Sequence, residues 1–306
     1  MPSGKQQTGS AIDGLFAKLS LRVSASTGVS GMPHGLFWIN VTEAPDEALA
    51  EYNLVRARIM SLPMGEERSH KTRWLESAHS QLSAYIVEQC EVAGRALVWD
   101  VETTALVGEV PIDQMEISVA CAVLFDIASG YEELRIAFWN EDAARGAPLD
   151  LLPVALKHAH RNVAFNGLNF DLTVVRRLFT SFKDYEMAQS RCLDTYAAIK
   201  EMGISLSLNR LSEINSLGEK TEDGKQAPML YKMQRFDRLE EYCFQDVELL
   251  KQLVMLKDIR LPTSDGRLST TRGVGTLHFG KADTRQLRQN TKEWFDARKG
   301  LVTASF

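Results

Sequence analysis

The sequence predicts an α/β fold in which a mixed β-sheet is flanked by helices, preceded by a helical extension and followed by a basic appendage. Two observations predict it. Three β-rich runs, 96–101 (ALVWDV), 117–125 (ISVACAVLF) and 134–139 (LRIAFW), follow one another with turn-like segments between them, the pattern of a strand meander. From residue 148 onward, short β-type runs alternate with stretches whose apolar residues recur every three or four positions, and such alternation builds a sheet covered by helices. The composition suits a packed core: 44% of the 306 residues are hydrophobic and 25% charged, which excludes collagen-like, wholly disordered and disulfide-scaffold chains. A chain of this length has material for one large domain with elaborations or for two domains.

In chain order, residues 1–44 read as a flexible or irregular arm. Its first 31 residues are rich in Ser, Thr and Gly and carry Lys5, Lys18 and Arg22 against Asp13 alone. That composition is compatible with an organelle transit peptide and, more simply, with a solvated arm. Residues 45–61 and 71–92 space their apolar side chains at three and four, with Pro63 and Gly65 between them, so 45–94 is expected to be a helical hairpin and a place where a protein partner could dock. The region 95–260 opens with the three strands. It continues as a helix over 148–160, a strand over 162–165, a helix over 171–181, a strand over 191–193, and helices over 194–202, 206–216 and 236–257. Asp194 reads as a helix cap, and Trp74, Trp99, Phe138 and Trp139 read as core. Residues 261–306 form the basic appendage, with eight Lys and Arg against four Asp and Glu; it could hold a phosphate backbone or be a solvated amphipathic helix.

Global properties narrow the function only slightly. The net charge of −5 does not advertise a polyanionic ligand, although a cluster of catalytic acids would itself lower it. Cys90, Cys121, Cys192 and Cys243 form no CxxC or Cys/His metal spacing, so free thiols in a reducing intracellular compartment are expected. The longest apolar run, 119–125, is too short to span a bilayer, and no membrane partner is expected. No repeat with a period of 20–50 residues is present, which disfavours solenoids and propellers.

Chemistry is concentrated in three places. Asp100 and Glu102 are two apart in an otherwise apolar strand, so both project from the same face near its end. Two adjacent carboxylates repel unless a hard divalent cation stabilises them in ionised form. Asp171 follows Asn166-Gly-Leu-Asn-Phe170 where a strand-loop meets a helix start; there backbone N–H groups favour negative charge, and the plain alternative is an N-cap. Asn166 and Asn169 supply neutral amides for a substrate or for fixing the loop. Tyr242 and Asp246 stand four apart on a late helix and share a face, whereas Glu248 falls on another.

Together these segments resemble the DEDD superfamily of 3′–5′ exonucleases, RNase H-like in fold, in its tyrosine branch. They are most similar to the proofreading exonuclease domain of family B DNA polymerases and its stand-alone relatives. Residues 166–171 (NGLNFD) look like the second motif of that group and 241–247 (EYCFQDV) like its third; 206–213 (LSLNRLSE) also resembles the stand-alone relatives. In the histidine branch a His stands five positions before the last Asp; Glu241 occupies that position here and Tyr242 suits the tyrosine branch. The resemblance spans about 95–257. It implies two divalent ions, Mg²⁺ or Mn²⁺, about 4 Å apart, held by Asp100, Glu102, Asp171 and Asp246, with Tyr242 orienting the attacking water. It further implies a nucleic acid 3′ end as substrate, single-stranded DNA favoured and RNA admissible, with Thr103, Leu106, Asn166, Asn169 and Phe170 as substrate-binding candidates. Two other readings are a catalytically silent interaction module and a structure-selective endonuclease on the same scaffold.

Overall fold

A computed structural model describes residues 45–61, 66–140, 145–218, 226–263 and 266–274. The arm over 1–44 and the appendage beyond residue 274 lie outside the described residues, as does the Trp74 side chain. The chain divides into two compact units, one formed by residues 1–86 with 141–148 and the other by 87–140 with 149–306.

In the smaller unit, helices α1 (Pro45–Met60) and α2 (Glu66–Cys90) are the two expected from the apolar spacing, α2 running four residues into the larger unit. Tyr52, Val55 and Ile59 are buried on α1, and Leu75, Ala78, Leu82 and Ile86 on α2, at the three- and four-residue intervals that make one apolar stripe per helix. The Asn53 amide donates to the carbonyls of Leu49 (2.8 Å) and Gly146 (2.7 Å), tying the second stretch of this unit to its first.

The larger unit holds five strands of one mixed sheet: β1 (Arg95–Thr103), β2 (Ile117–Asp126), β3 (Glu132–Trp139), β4 (Asn162–Ala164) and β5 (Cys192–Asp194). Their order is β3-β2-β1-β4-β5. The first three form the expected antiparallel meander, while β4 lies parallel to β1 and β5 parallel to β4. Every residue of β2 from Ile117 to Phe125 is buried, as a strand covered on both faces requires. Trp99, Phe138 and Trp139 are all core residues. The buried Trp99 indole donates to Asn162 Oδ1 (3.2 Å), whose amide nitrogen donates to the Ala188 carbonyl (2.8 Å), so these polar atoms enter the core already paired. Because β1, β4 and β5 are parallel, their carboxyl ends share one edge of the sheet, where open α/β sheets bind ligands.

The helices are α3 (Leu152–His158), α4 (Asp171–Val175), α5 (Phe182–Ser190), α6 (Thr195–Glu201), α7 (Leu208–Asn215), α8 (Gln226–Lys232) and α9 (Phe236–Met255). The helix expected over 171–181 is broken. It tightens to a 3-10 turn at Arg176–Leu178, and Ser181 then caps the unforeseen α5 by accepting from the Asp184 N–H (3.1 Å). Also unforeseen are α8 and a hairpin of β6 (Asp258–Pro262) with β7 (Leu268–Arg272), which straddles the expected start of the appendage. Short elements with little periodicity of their own are set by what they pack against.

Candidate active site

The burial pattern along β1 alternates at its end: Val101 and Thr103 are buried, Asp100 and Glu102 half-buried, so the two acids share the more open face. Asp100 stands opposite Cys121 of β2, and the pairing register shifts between Glu102 and Thr103, ending the regular ladder there. The Thr103 hydroxyl donates to the Ala105 carbonyl (2.7 Å) and the Leu106 N–H donates to Glu109 Oε2 (2.8 Å). Thr103 thus closes β1 and Leu106 belongs to the loop that leaves it, where it is half-buried.

The loop after β4 delivers Asp171. Asn166 adopts φ 64°, a left-handed conformation that Asn tolerates better than most residues. Its carbonyl accepts from the N–H groups of Asn169 (3.2 Å) and Phe170 (3.0 Å), and its side-chain oxygen accepts from the Asn169 amide (3.1 Å). The two asparagines are therefore bonded to each other, and they line an open cavity. Asp171 is not the N-cap: Phe170, half-buried, occupies that position without a side-chain bond, and Asp171 is the first helical residue, its side chain buried. Gly167 is required by crowding, since a Cβ there would collide with the Ala164 side chain and lie 3.7 Å from Asp171 Oδ2.

The cap reading of Asp194 is correct but incomplete. Asp194 caps α6 by accepting from the Ala197 N–H (3.1 Å), and it also accepts from the N–H groups of Asn166 (2.9 Å) and Leu168 (3.0 Å). One buried carboxylate at the end of β5 thereby holds the neighbouring loop that presents Asp171. The sequence signal was only the capping pattern; the contact across 26 residues comes from the parallel pairing of β4 and β5.

Helix α9 lies against β1 and β2. The Cys121 thiol reaches the Glu240 carbonyl (3.9 Å), the Cys243 thiol reaches the Asp100 carbonyl (3.7 Å), and the Trp139 indole donates to Glu240 Oε2 (2.9 Å). These contacts set the rotation of α9, whose Tyr242 and Asp246 are both buried on the sheet side. Glu248 faces elsewhere, its carboxylate accepting from Gln252 (3.0 Å) and standing 3.9 Å from Lys251.

Ligand atoms of Asp100, Glu102 and Cys243 lie within 4.8 Å of one another. Asp171 and Asp246 stand outside that set, and Asp171 is linked to the sheet end only electrostatically, its carboxylate favoured by the Val101 N–H that lies between the two β1 acids and disfavoured by the Asp246 charge. Burial pushes the Asp171 carboxyl up to about 7. Backbone N–H groups of Asp171 itself and Val101 oppose that shift, and the Asp194 and Asp246 charges add to it. Burial also pushes the Cys243 thiol well up, reinforced by the Cys121 thiol and the Asp100 and Glu102 charges. Half-buried Asp100 and Glu102 on one face of the strand end, with buried Asp171 nearby, form a carboxylate donor set of the kind a hard divalent cation takes. Cys243 was not foreseen in this group, although it follows Tyr242 and precedes Asp246 by three positions, a spacing that shares a helix face.

A model of the RNase H superfamily matches residues 97–256. No curated protein sequence matches the chain. Among solved structures, the family B DNA polymerase from the hyperthermophilic archaeon Pyrobaculum calidifontis is similar with a TM-score of 0.37 at 14% identity, over 51% of this chain and 23% of that one. Exonuclease I is similar with a TM-score of 0.34 at 14% identity, over 50% of this chain and 43% of that one. An ExoI/SSB-Ct complex gives 0.32 at 14% identity, over 58% of this chain and 52% of that one. The chain thus spans about a quarter to a half of the length of these structures.

Proposed function

Because the chain belongs to the RNase H superfamily, with acids from three separate segments at one sheet edge, we propose that it is a 3′–5′ exonuclease of the DEDD tyrosine branch. Its substrate is the 3′ end of single-stranded DNA, with RNA as the alternative, and its products are nucleoside 5′-monophosphates. The observation that carries this reading is the pair Asp100 and Glu102 on the open face of the β1 end, with Asp171 presented by the loop after the adjacent β4 and near enough to Asp246 for that charge to raise its pKa. The residues to hold divalent cations are Asp100, Glu102, Asp171 and Asp246. Cations bound there, Mg²⁺ or Mn²⁺, supply the positive charge that acidifies the attacking water and offsets charge building on the phosphate oxygens.

The protein's own groups perform the positioning. Asp100 and Glu102 aim two carboxylates at one point because they alternate along a strand end. Asp171 is presented by a loop that Asp194 holds. Tyr242, one turn before Asp246, orients the water through its hydroxyl, while acidification comes from the bound cations. Burial of Tyr242 and Asp246 limits competing water.

The test is a 5′-labelled oligonucleotide incubated with purified protein, with Mg²⁺, Mn²⁺ or chelator, and followed on a sequencing gel. Stepwise shortening from the 3′ end, abolished by chelator, is expected, with Asp246→Ala slower by about 10³-fold or more. Equal degradation by Asp246→Ala, or cleavage of a circular substrate, would sink the assignment.

A further inference from the structure

Beyond the carboxyl ends of β4 and β5 lies an open cavity of about 600 Å³ lined by Phe165, Asn166, Asn169, Tyr196, Lys200 and Ser205, among others. Its chemistry differs from that of the neighbouring acids: no carboxylate among the described residues lines it, although the chain as a whole is net acidic. The rings of Phe165 and Tyr196 stand 5.5 Å apart at 59°, and the Tyr196 hydroxyl is bonded to Ser205 Oγ (2.9 Å), which fixes the ring. Lys200, exposed and one helical turn on, places its ammonium 5.7 Å from the Tyr196 ring. The Asn166 and Asn169 amides offer donors and acceptors on another wall. An immobilised aromatic face, a lysine ammonium and amides, with no acid beside them in the lining, suit a planar base joined to a phosphate.

The strand order sets the scale of the separation between the Tyr196 wall of the cavity and the acids on β1. Strands β1, β4 and β5 are successive neighbours, so two strand spacings, about 10 Å, separate the end of β1 from the end of β5. That is the length of roughly three stacked nucleotides at about 3.4 Å each. We infer that this cavity binds a nucleotide of the single-stranded substrate two or three positions upstream of the 3′ terminus, with its base on Tyr196 and its phosphate at Lys200. The inference rests on the exonuclease reading of the acids on β1.

The test is fluorescence anisotropy with 5′-labelled di- and hexanucleotides of DNA and of RNA, in Ca²⁺, with hydrolysis measured in parallel in Mn²⁺. Wild type is expected to bind the hexanucleotide at least ten-fold more tightly than the dinucleotide. Tyr196→Leu and Lys200→Gln are expected to lose most of that advantage while binding the dinucleotide within about two-fold of wild type. Lys200→Gln should also flatten the salt dependence of log K by about 0.7. Tyr196→Phe, which keeps the ring and loses only the bond to Ser205, should restore hexanucleotide affinity and so separates stacking from a folding defect. If wild type cleaves but Tyr196→Leu and Lys200→Gln bind the hexanucleotide as tightly as it does, the subsite is overturned and the exonuclease reading stands. If wild type neither cleaves nor binds either length, both fall.

Discussion

Asp171 decides the charge balance of the site. Its folded-state pKa of about 7 lies above the unfolded value near 3.9. The folded state therefore holds more protons than the unfolded state between those values. The stability contributed by this group is present at low pH and lost as pH rises through about 7. In chelator, Asp171→Asn should raise the Tm at pH 8, by about 2–4 °C for each kcal/mol of burial penalty and repulsion relieved, and by progressively less as the pH falls towards about 4, where both states are protonated; calorimetry across that range checks this. Divalent metal at pH 8 should stabilise wild type and not Asp171→Asn. At Tyr242 the effect is kinetic: Tyr242→Phe should lower kcat by about 10²-fold with little change in KM, read by steady-state assay. An unchanged kcat would remove the hydroxyl from the mechanism. The candidate acids and this tyrosine were legible because each pair sits within one element, where spacing alone assigns a face. Cys243 shares the same helix face, yet its place against Asp100 depends on how far α9 is rotated over β1.

At the scale of elements, the loop between β4 and α4 is held from outside. Asp194 accepts three backbone N–H bonds, two of them from that loop. Asp194→Ala should cost about 2–4 kcal/mol in urea denaturation, combining removal of a cap with two unpaired N–H groups. It should also weaken the metal dependence of activity; Asp194→Asn, which keeps an acceptor, should recover part of both. Gly167→Ala should cost about 1–3 kcal/mol, because its new methyl must displace Ala164 beside Asp171. A Gly167→Ala protein as stable and active as wild type would show that the loop can shift freely. The long periodic elements, β1 to β3 and α9, were readable from the chain. The short ones were not: α4 stops after five residues and α5 begins at a Ser cap, although 171–181 has continuous helical character.

For the molecule as a whole, the acids concentrate negative charge at one sheet edge while the segment 281–306 carries six Lys and Arg against three Asp and Glu. Truncation before Lys281 should raise the KM for a long oligonucleotide and flatten the salt dependence of binding by about 0.7 for each phosphate that the segment neutralises. Identical salt slopes for the two forms would assign the segment no role in holding substrate. Local periodicity by itself determined the α/β class, the antiparallel meander, the shared face of Asp100 and Glu102, and the shared face of Tyr242 and Asp246. These follow from the two-residue repeat of a strand and the 3.6-residue repeat of a helix, both written in neighbouring residues. Only the tertiary structure decided that β4 and β5 add in parallel beside β1. That choice sets the loop carrying Asp171 beside the end of β1, brings Asp194 under the Asn166 loop, and opens the cavity at Tyr196 and Lys200. Each depends on contacts between segments tens of residues apart, which are settled by packing and hydrogen-bond satisfaction of the whole sheet rather than by any local pattern.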